Sequence, residues 1–361
     1  MKEKIEDILL NEPGLKGREI AKKLGAERKT VNSFLSKNKD YFYQDDEYQW
    51  YLKTTTTDVE FLSGWIDADQ FEQFLLISPD LFSVKGPVRF ILPQGCNLLL
   101  ESISRFLALL NQLDDEGIDV TVDLAECSST RSFLGRAGFF DLLSDEVKIL
   151  PERPKSSAAK IYKGNSDSLV EIGTICPNSK NKGLIVALRS NFVVNSDESF
   201  ETVALTVFSE FINNVSDHSN SQLDGFAALQ VYSPQRRRKH IQTVISDSGV
   251  GVVSTLRTTL KQHYPDLYNR FPDNDVDADI GLALEVFSKG NITRYGRESG
   301  RGLGFKSTRE QASKFDADLS IRMDTFNIKL VYRGGKMEEP LISKGLTKIK
   351  GTHICFDFYV D

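Results

Sequence analysis

The chain has 361 residues, a formal net charge of −6, 40% hydrophobic residues and 27% charged residues. This balance excludes a disordered chain, and the length exceeds what one core usually organises, so two or three domains are expected. The acidic balance argues against a protein that coats nucleic acid non-specifically, yet leaves room for a small DNA-binding module. Cys96, Cys127, Cys176 and Cys355 are scattered without a C-x-x-C pair, which disfavours a metal knuckle or disulfide framework and suits a reducing cytoplasm. The opening MKEKIEDILLNEPG is mixed in charge and has no signal-peptide core. The most apolar run, NLLLESISRFLALLNQL (97–113), is broken by Glu101 and Arg105 and is too short to span a bilayer. A cytoplasmic protein without membrane contact is expected.

Residues 1–53 read as a compact helical unit closed by an aromatic strand pair. A helix covers roughly Glu3–Leu10 and is broken by Pro13-Gly14. LKGREIAKKLGAERKTVNSFLSKN then gives a helix, a turn at Gly25 and a second helix opening near Glu27, which is helix-turn-helix spacing. DYFYQDDEYQWYL (40–52) alternates aromatic and polar residues around an acidic turn, as a short hairpin does. Together these resemble a winged-helix domain, which implies double-stranded DNA as a partner and presents Arg28, Lys29, Thr30, Asn32 and Ser33 to a groove. Eleven Lys/Arg against ten Asp/Glu in this unit make the pull on phosphate weak, so docking to a protein is the alternative.

The polar run KTTTTD (53–58) marks a boundary. Beyond it, 58–150 alternates strand and helix signals: VRFILP (88–93), a helix from about Leu98 to Glu116, IDVTVDL (118–124) and STRSFLGRAGFF (129–140). Such alternation points to a small α/β layer domain. Through the strand ending in VTVDLA and the helix after it, the segment resembles the STAS domains of anti-sigma antagonists. Such domains often carry a phosphorylatable serine just before that helix, where Ser128, Ser129 and Thr130 stand here, although the usual Asp-Ser pair is missing. The simpler expectation is that Ser129 or Thr130 caps the helix. LPERPKSSAAK (150–160) marks the next boundary.

In 165–361, FSEFINNVSDHSN (208–220) carries apolar residues at helical spacing, with Glu210, Asn214 and Asp217/His218 on a second, polar stripe. Successive members lie about 6 Å apart along the axis. Asn213 is an alternative to Asn214, but only Asn214 is four residues from Glu210. VISDSGVGV (244–252) runs a strand into Asp247 and then Gly249 and Gly251. A carboxylate there can accept from an exocyclic amine, and glycines let the backbone approach a flat ring. ESGRGLGFKSTREQASKF (298–315) opens a helix with Gly300, Gly302 and Gly304, the pattern of an anion site. PQRRRKH (234–240) reads as an exposed hairpin turn, and SKGNITRYGRESGR (288–301) as a cationic loop with Lys289, Arg294, Arg297 and Arg301.

E-x-x-x-N, then D-x-G-x-G, then G-x-G-x-G before a helix resembles the GHKL ATPases (gyrase B, the heat-shock chaperones, histidine kinases, MutL). The closing KGTHICFDFYV (350–360) resembles their Gly-Thr and final strand. The resemblance implies a Bergerat α/β sandwich with a mixed sheet over 165–361. It implies ATP and Mg²⁺ as ligands. Glu210 would be the general base, Asn214 the Mg²⁺ ligand and Asp247 the reader of adenine. Gly249 and Gly251 would flank the base, Thr352 would support Asp247 through a water, and Gly300, Gly302, Gly304 and Arg301 would hold phosphate. The chain as a whole is then a multidomain α/β protein: a winged helix at 1–53, a STAS-like domain at 58–150 and a GHKL ATP-binding domain at 165–361. The four histidines (His218, His240, His263, His353) all lie in the last part, which disfavours autokinase activity of the sensor type. The expected activity is an ATP-hydrolysing regulatory switch, commonly a homodimer in the family. The alternatives are a serine/threonine kinase of the anti-sigma type acting on a STAS-like partner, and a nucleotide-binding module without turnover.

Overall fold

A computed structural model describes residues 1–53, 55–177, 179–218, 221–233, 238–273, 275–289, 292 and 316–360; the side chains of His218 and Lys289 are outside the description. The chain is a mixed α/β, multidomain protein, with four sheets among the described residues. Helix α1 (Lys2–Asn11), strand β1 (Leu15–Lys16), α2 (Gly17–Leu24), α3 (Arg28–Lys37), β2 (Phe42–Gln44) and β3 (Gln49–Leu52) form the first unit, with sheet order β1-β3-β2. The expected hairpin is present: Tyr43 pairs with Tyr51, and their rings stack at 5.1 Å. Ile5, Leu9, Ile20, Val31, Leu35, Phe42 and Trp50 make its core.

The second unit holds β4 (Thr57–Glu60), β5 (Gly64–Ile66), α4 (Ala68–Leu76), β6 (Val88–Ile91), β7 (Cys96–Leu98), α5 (Leu100–Asp115), β8 (Val120–Asp123), α6 (Ser128–Ala137), α7 (Phe139–Leu142) and β9 (Lys148–Leu150). Its sheet, in the order β4-β6-β8-β9, is parallel throughout, so each step between neighbours needs a crossover, which the helices supply. The polar boundary is shorter than its sequence suggests, because Thr57 already pairs with Val88. Helix α4 opens with a reciprocal cap, in which Asp67 accepts from the Gln70 amide at 2.9 Å and Gln70 accepts from the Asp67 amide at 3.1 Å.

After α8 (Ala158–Ile161) come β10 (Leu169–Ile175), α9 (Lys182–Asn195), α10 (Glu201–His218), β11 (Gly225–Tyr232), β12 (Lys239–Asp247), α11 (Gly251–His263), α12 (Pro265–Arg270), α13 (Val276–Lys289), β13 (Ala317–Arg333), β14 (Lys336–Met337) and β15 (Leu341–Val360). The sheet order is β10-β11-β12-β15-β13-β14. The expectation of a mixed sheet is corrected here: every pairing among the described strands is antiparallel. Strands β12 and β13 do run in the same direction. The last strand, β15, inserts between them and turns one parallel contact into two antiparallel ones.

This sheet is covered on both faces. On one face Ile241, Ile245, Ile354, Phe356 and Phe358 share a core with Phe208, Phe211, Leu256 and Leu282 of α10, α11 and α13. On the other, Phe226, Ala228, Val244, Ile349 and Cys355 share a core with Phe106, Leu107 and Leu110 of α5. Helix α5 is thus enclosed on nearly all sides, so that its polar residues Ser102, Ser104, Arg105 and Gln112 are buried along with its apolar ones. Glu101 and Arg105, which interrupt that run, make an ion pair at 2.5 Å in the interface. Among the described residues, no helix is long and apolar enough to cross a membrane.

Candidate functional site

Side chains along β12 alternate between the two covered faces. Ile241 and Ile245 join the helical layer, whereas Val244 packs with α5 and Ser246 Oγ lies 2.6 Å from Ser104 Oγ of α5. Asp247 ends the strand with the parity of Ile245, on the helical side. It is only 7% exposed, and its carboxylate accepts from the Gly249 amide at 2.8 Å. Burial pushes the carboxyl up to about 6, against the opposing pull of the Gly249 and Thr352 amides.

Thr352 of β15 stands opposite Asp247 in the ladder. Its hydroxyl accepts from the Val252 amide at 3.2 Å and so pins the first turn of α11. Gly251 (φ +78), which opens α11, and Gly351 (φ +97), within β15, back onto one another beside the end of β12. A Cβ on Gly351 would lie 2.0 Å from the Asp247 carbonyl oxygen, so no side chain fits there. Gly351 is a site residue that pattern reading passed over. Its signal is the Gly-Thr of KGTHICFDFYV, but the carbonyl it must clear belongs to a strand a hundred residues earlier.

Helix α10 buries Val203, Val207, Phe208, Phe211, Ile212 and Val215. Glu210 and Asn214 run along its flank half-buried, while Asn213 and Asp217 are exposed. The polar stripe is therefore neither a core feature nor a solvated face. Burial raises the Glu210 carboxyl above the usual carboxylate range. Ser216, on the same helix, is buried and donates to the Cys176 and Ser179 carbonyls at 3.1 and 3.2 Å, which fixes the last turn. Helix α10 packs on β10, β11 and β12, the face that Asp247 and Thr352 share. The structure thus brings Asp247, Gly249, Gly251, Gly351 and Thr352 to one point and puts Glu210 and Asn214 on the helix above that face. Gly300, Arg301, Gly302 and Gly304 lie outside the described residues, as do Arg294, Arg297 and most of the expected turn at 234–240.

In the first unit, Arg28, Lys29, Thr30 and Ser33 are exposed on α3. Asn32 departs from the expected set. It is half-buried and turned back onto the start of α2, where a Cβ on Gly17 would overlap its Oδ1 at 1.8 Å. In the second unit, Ser128 and Ser129 are exposed. The expected cap is not made: the N-cap residue of α6 is Cys127, with no side-chain cap bond. Thr130 is buried and donates instead to the Cys96 carbonyl. Among the described residues, no cluster of three or more His, Cys, Asp or Glu side chains is arranged to hold a metal.

No protein-family model matches the chain, and no curated protein sequence matches it.

Proposed function

We propose that residues 165–361 bind MgATP and hydrolyse it, and that this reaction switches the units at 58–150 and 1–53. The observation that carries the reading is Asp247: a buried carboxyl at a strand end, level with Thr352, held by the Gly249 amide and bordered by glycines. The Gly249 amide bonds one carboxylate oxygen, and the carboxylate keeps lone pairs able to accept from an exocyclic amine such as that of adenine. Few other roles suit a carboxyl made this costly to ionise. Glu210 supports the chemistry, because a carboxyl raised by burial is a better proton acceptor once ionised. Asn214, one turn on, offers the amide oxygen that Mg²⁺ accepts as a ligand, and the bound ion would neutralise phosphate charge. The phosphate end of the reading rests on sequence alone, through Gly300, Arg301, Gly302 and Gly304.

The reading extends to a winged-helix role for 1–53, with Arg28, Lys29, Thr30 and Ser33 facing double-stranded DNA, and to a cytoplasmic homodimer. The order helix, strand, two helices and hairpin supports the first of these. The test is calorimetric titration with MgATP, with phosphate release followed in parallel, for wild type, Asp247→Ala and Glu210→Ala. The expected result is binding by wild type, none by Asp247→Ala, and binding without turnover by Glu210→Ala. Label appearing on a serine instead of as free phosphate would replace the ATPase with the protein kinase. Failure of wild type to bind any adenine nucleotide would sink the reading.

A further inference from the structure

Helix α5 belongs to the second unit, yet its polar side is committed to the sheet of the third. Its first two amides are met from the sheet: Leu100 donates to the Tyr232 hydroxyl at 2.8 Å and Glu101 to Gln242 Oε1 at 2.9 Å. One turn on, Ser104 Oγ meets Ser246 Oγ at 2.6 Å. At the far end, about 16 Å along the axis from Glu101, Gln112 is 2% exposed and spends its whole amide on the residue after β12 and on β15. Its Nε2 donates to Ser248 Oγ and to the Lys350 carbonyl, both at 2.9 Å, and its Oε1 accepts from the Lys350 amide at 2.8 Å. Ser248 directly follows Asp247, and Lys350 is two residues before Thr352.

A second route reaches Lys350. His353 Nε2 lies 3.0 Å from the Lys350 carbonyl, which can only accept, so Nε2 carries the proton. Nδ1 then accepts from Ser246 Oγ at 3.2 Å, and Ser246 in turn accepts from Ser104. The Lys350 carbonyl therefore receives two donors, one from α5 directly and one relayed from α5 through Ser246 and His353. Lys350 Nζ also pairs with Glu116, just beyond the helix.

We propose that Gln112 is a positioning residue for the candidate site, tying the segments that carry Asp247 and Thr352 to α5 so that occupancy of the site and the seating of the second unit are coupled. The proposal rests on the nucleotide reading above and adds its regulation. Glutamate lacks both donors, asparagine is one methylene short, and methionine fills the space but leaves the Lys350 amide unpaired and its carbonyl with His353 alone. Coupling of this kind is reciprocal: if α5 holds these segments in their binding geometry, ligand on them must hold α5.

The experiment uses the full chain. MgATP affinity is measured for wild type, Gln112→Met, Gln112→Glu and Asn111→Ala, together with backbone hydrogen exchange of α5 with and without MgATP. Asn111 is the control on the same helix: it bonds the Leu142 carbonyl and the Ser144 amide, both at 2.9 Å and both within the second unit. The expected result is binding roughly tenfold weaker for both Gln112 variants, near wild type for Asn111→Ala, and slower exchange of α5 on MgATP addition in wild type but not in Gln112→Met. Wild-type affinity in the Gln112 variants, or an equal loss in Asn111→Ala, overturns the positioning role and leaves the nucleotide reading standing. A wild-type chain that binds no nucleotide overturns both.

Discussion

Asp247 is held in the fold with its proton favoured, since burial outweighs the two amides that bond it. An acid whose folded value is raised above its ordinary one contributes stability that is present below the ordinary value. That contribution is lost as pH rises through the folded value, here about 6. Asp247→Asn cannot ionise and escapes this loss. It should therefore be more stable than wild type at neutral pH by about 3 kcal/mol and lose that advantage as pH falls towards 3. Thermal denaturation across that window, without nucleotide, checks it, and a pH-independent difference would contradict it. His353 acts in the opposite sense. Burial and the Arg322 charge hold it down to about 3, so its contribution is present above its ordinary value of 6.5 and is lost as pH falls towards 3.

At the scale of elements, the flank of α10 separates two adjacent amides that a sequence pattern treats alike. Asn214 is half-buried beside Glu210, and Asn213 points to solvent. Asn214→Ala should weaken MgATP binding at least tenfold, about 1.4 kcal/mol, while Asn213→Ala stays within about 0.5 kcal/mol of wild type in binding and stability. Titration of both variants at fixed Mg²⁺ decides between the positions. On α3, the exposed pair Arg28 and Lys29 offers two phosphate contacts. If this unit engages duplex DNA, replacing both with alanine should weaken binding to every sequence alike and shallow the salt dependence by about two counterions. Fluorescence anisotropy over a salt series reads that slope.

Across the whole molecule, the second and third units share one apolar core and one buried charge cluster. Glu72 of α4 takes Arg105 at 2.7 Å and Arg322 of β13 at 2.8 Å, and Arg105 continues to Ser320 and Asn327 at 3.0 and 3.2 Å. Removing the carboxylate leaves two guanidinium groups without their shared partner in a buried place. Glu72→Ala should therefore cost about 3–5 kcal/mol. Because the core is common to both units, their unfolding should shift together as one urea transition, which separate fluorescence and circular dichroism probes can test. A chain cut to 165–361 would expose Phe226, Val244 and Ile349 and should aggregate unless the second unit is supplied.

Much of this was legible in residues alone. The 3.6-residue period of α10, the alternation of β12 and the aromatic hairpin at 42–52 are local patterns, and local backbone geometry turns them into the same elements in the fold. The pairing of Glu210 with Asn214 on one flank follows from the helical repeat. What the sequence left open was decided by contacts between distant segments. The antiparallel sheet depends on β15 entering between β12 and β13, and no local pattern states where a last strand will insert. Thr130 was free to cap its helix until the Cys96 carbonyl came within reach, and Asn32 was free to face a groove until Gly17 gave it a closer place. Glu101 and Arg105 look like the charges that make a greasy helix soluble. Arg105 is a buried polar link instead and Glu101 a half-buried one, because a second sheet covers the face of α5 that solvent would otherwise wet. The sequence by itself determined which segments are helices and strands and which side chains are chemically able to act, since those follow from short-range geometry. Only the tertiary structure decided which of them are desolvated and what they touch, since burial is a property of the whole chain.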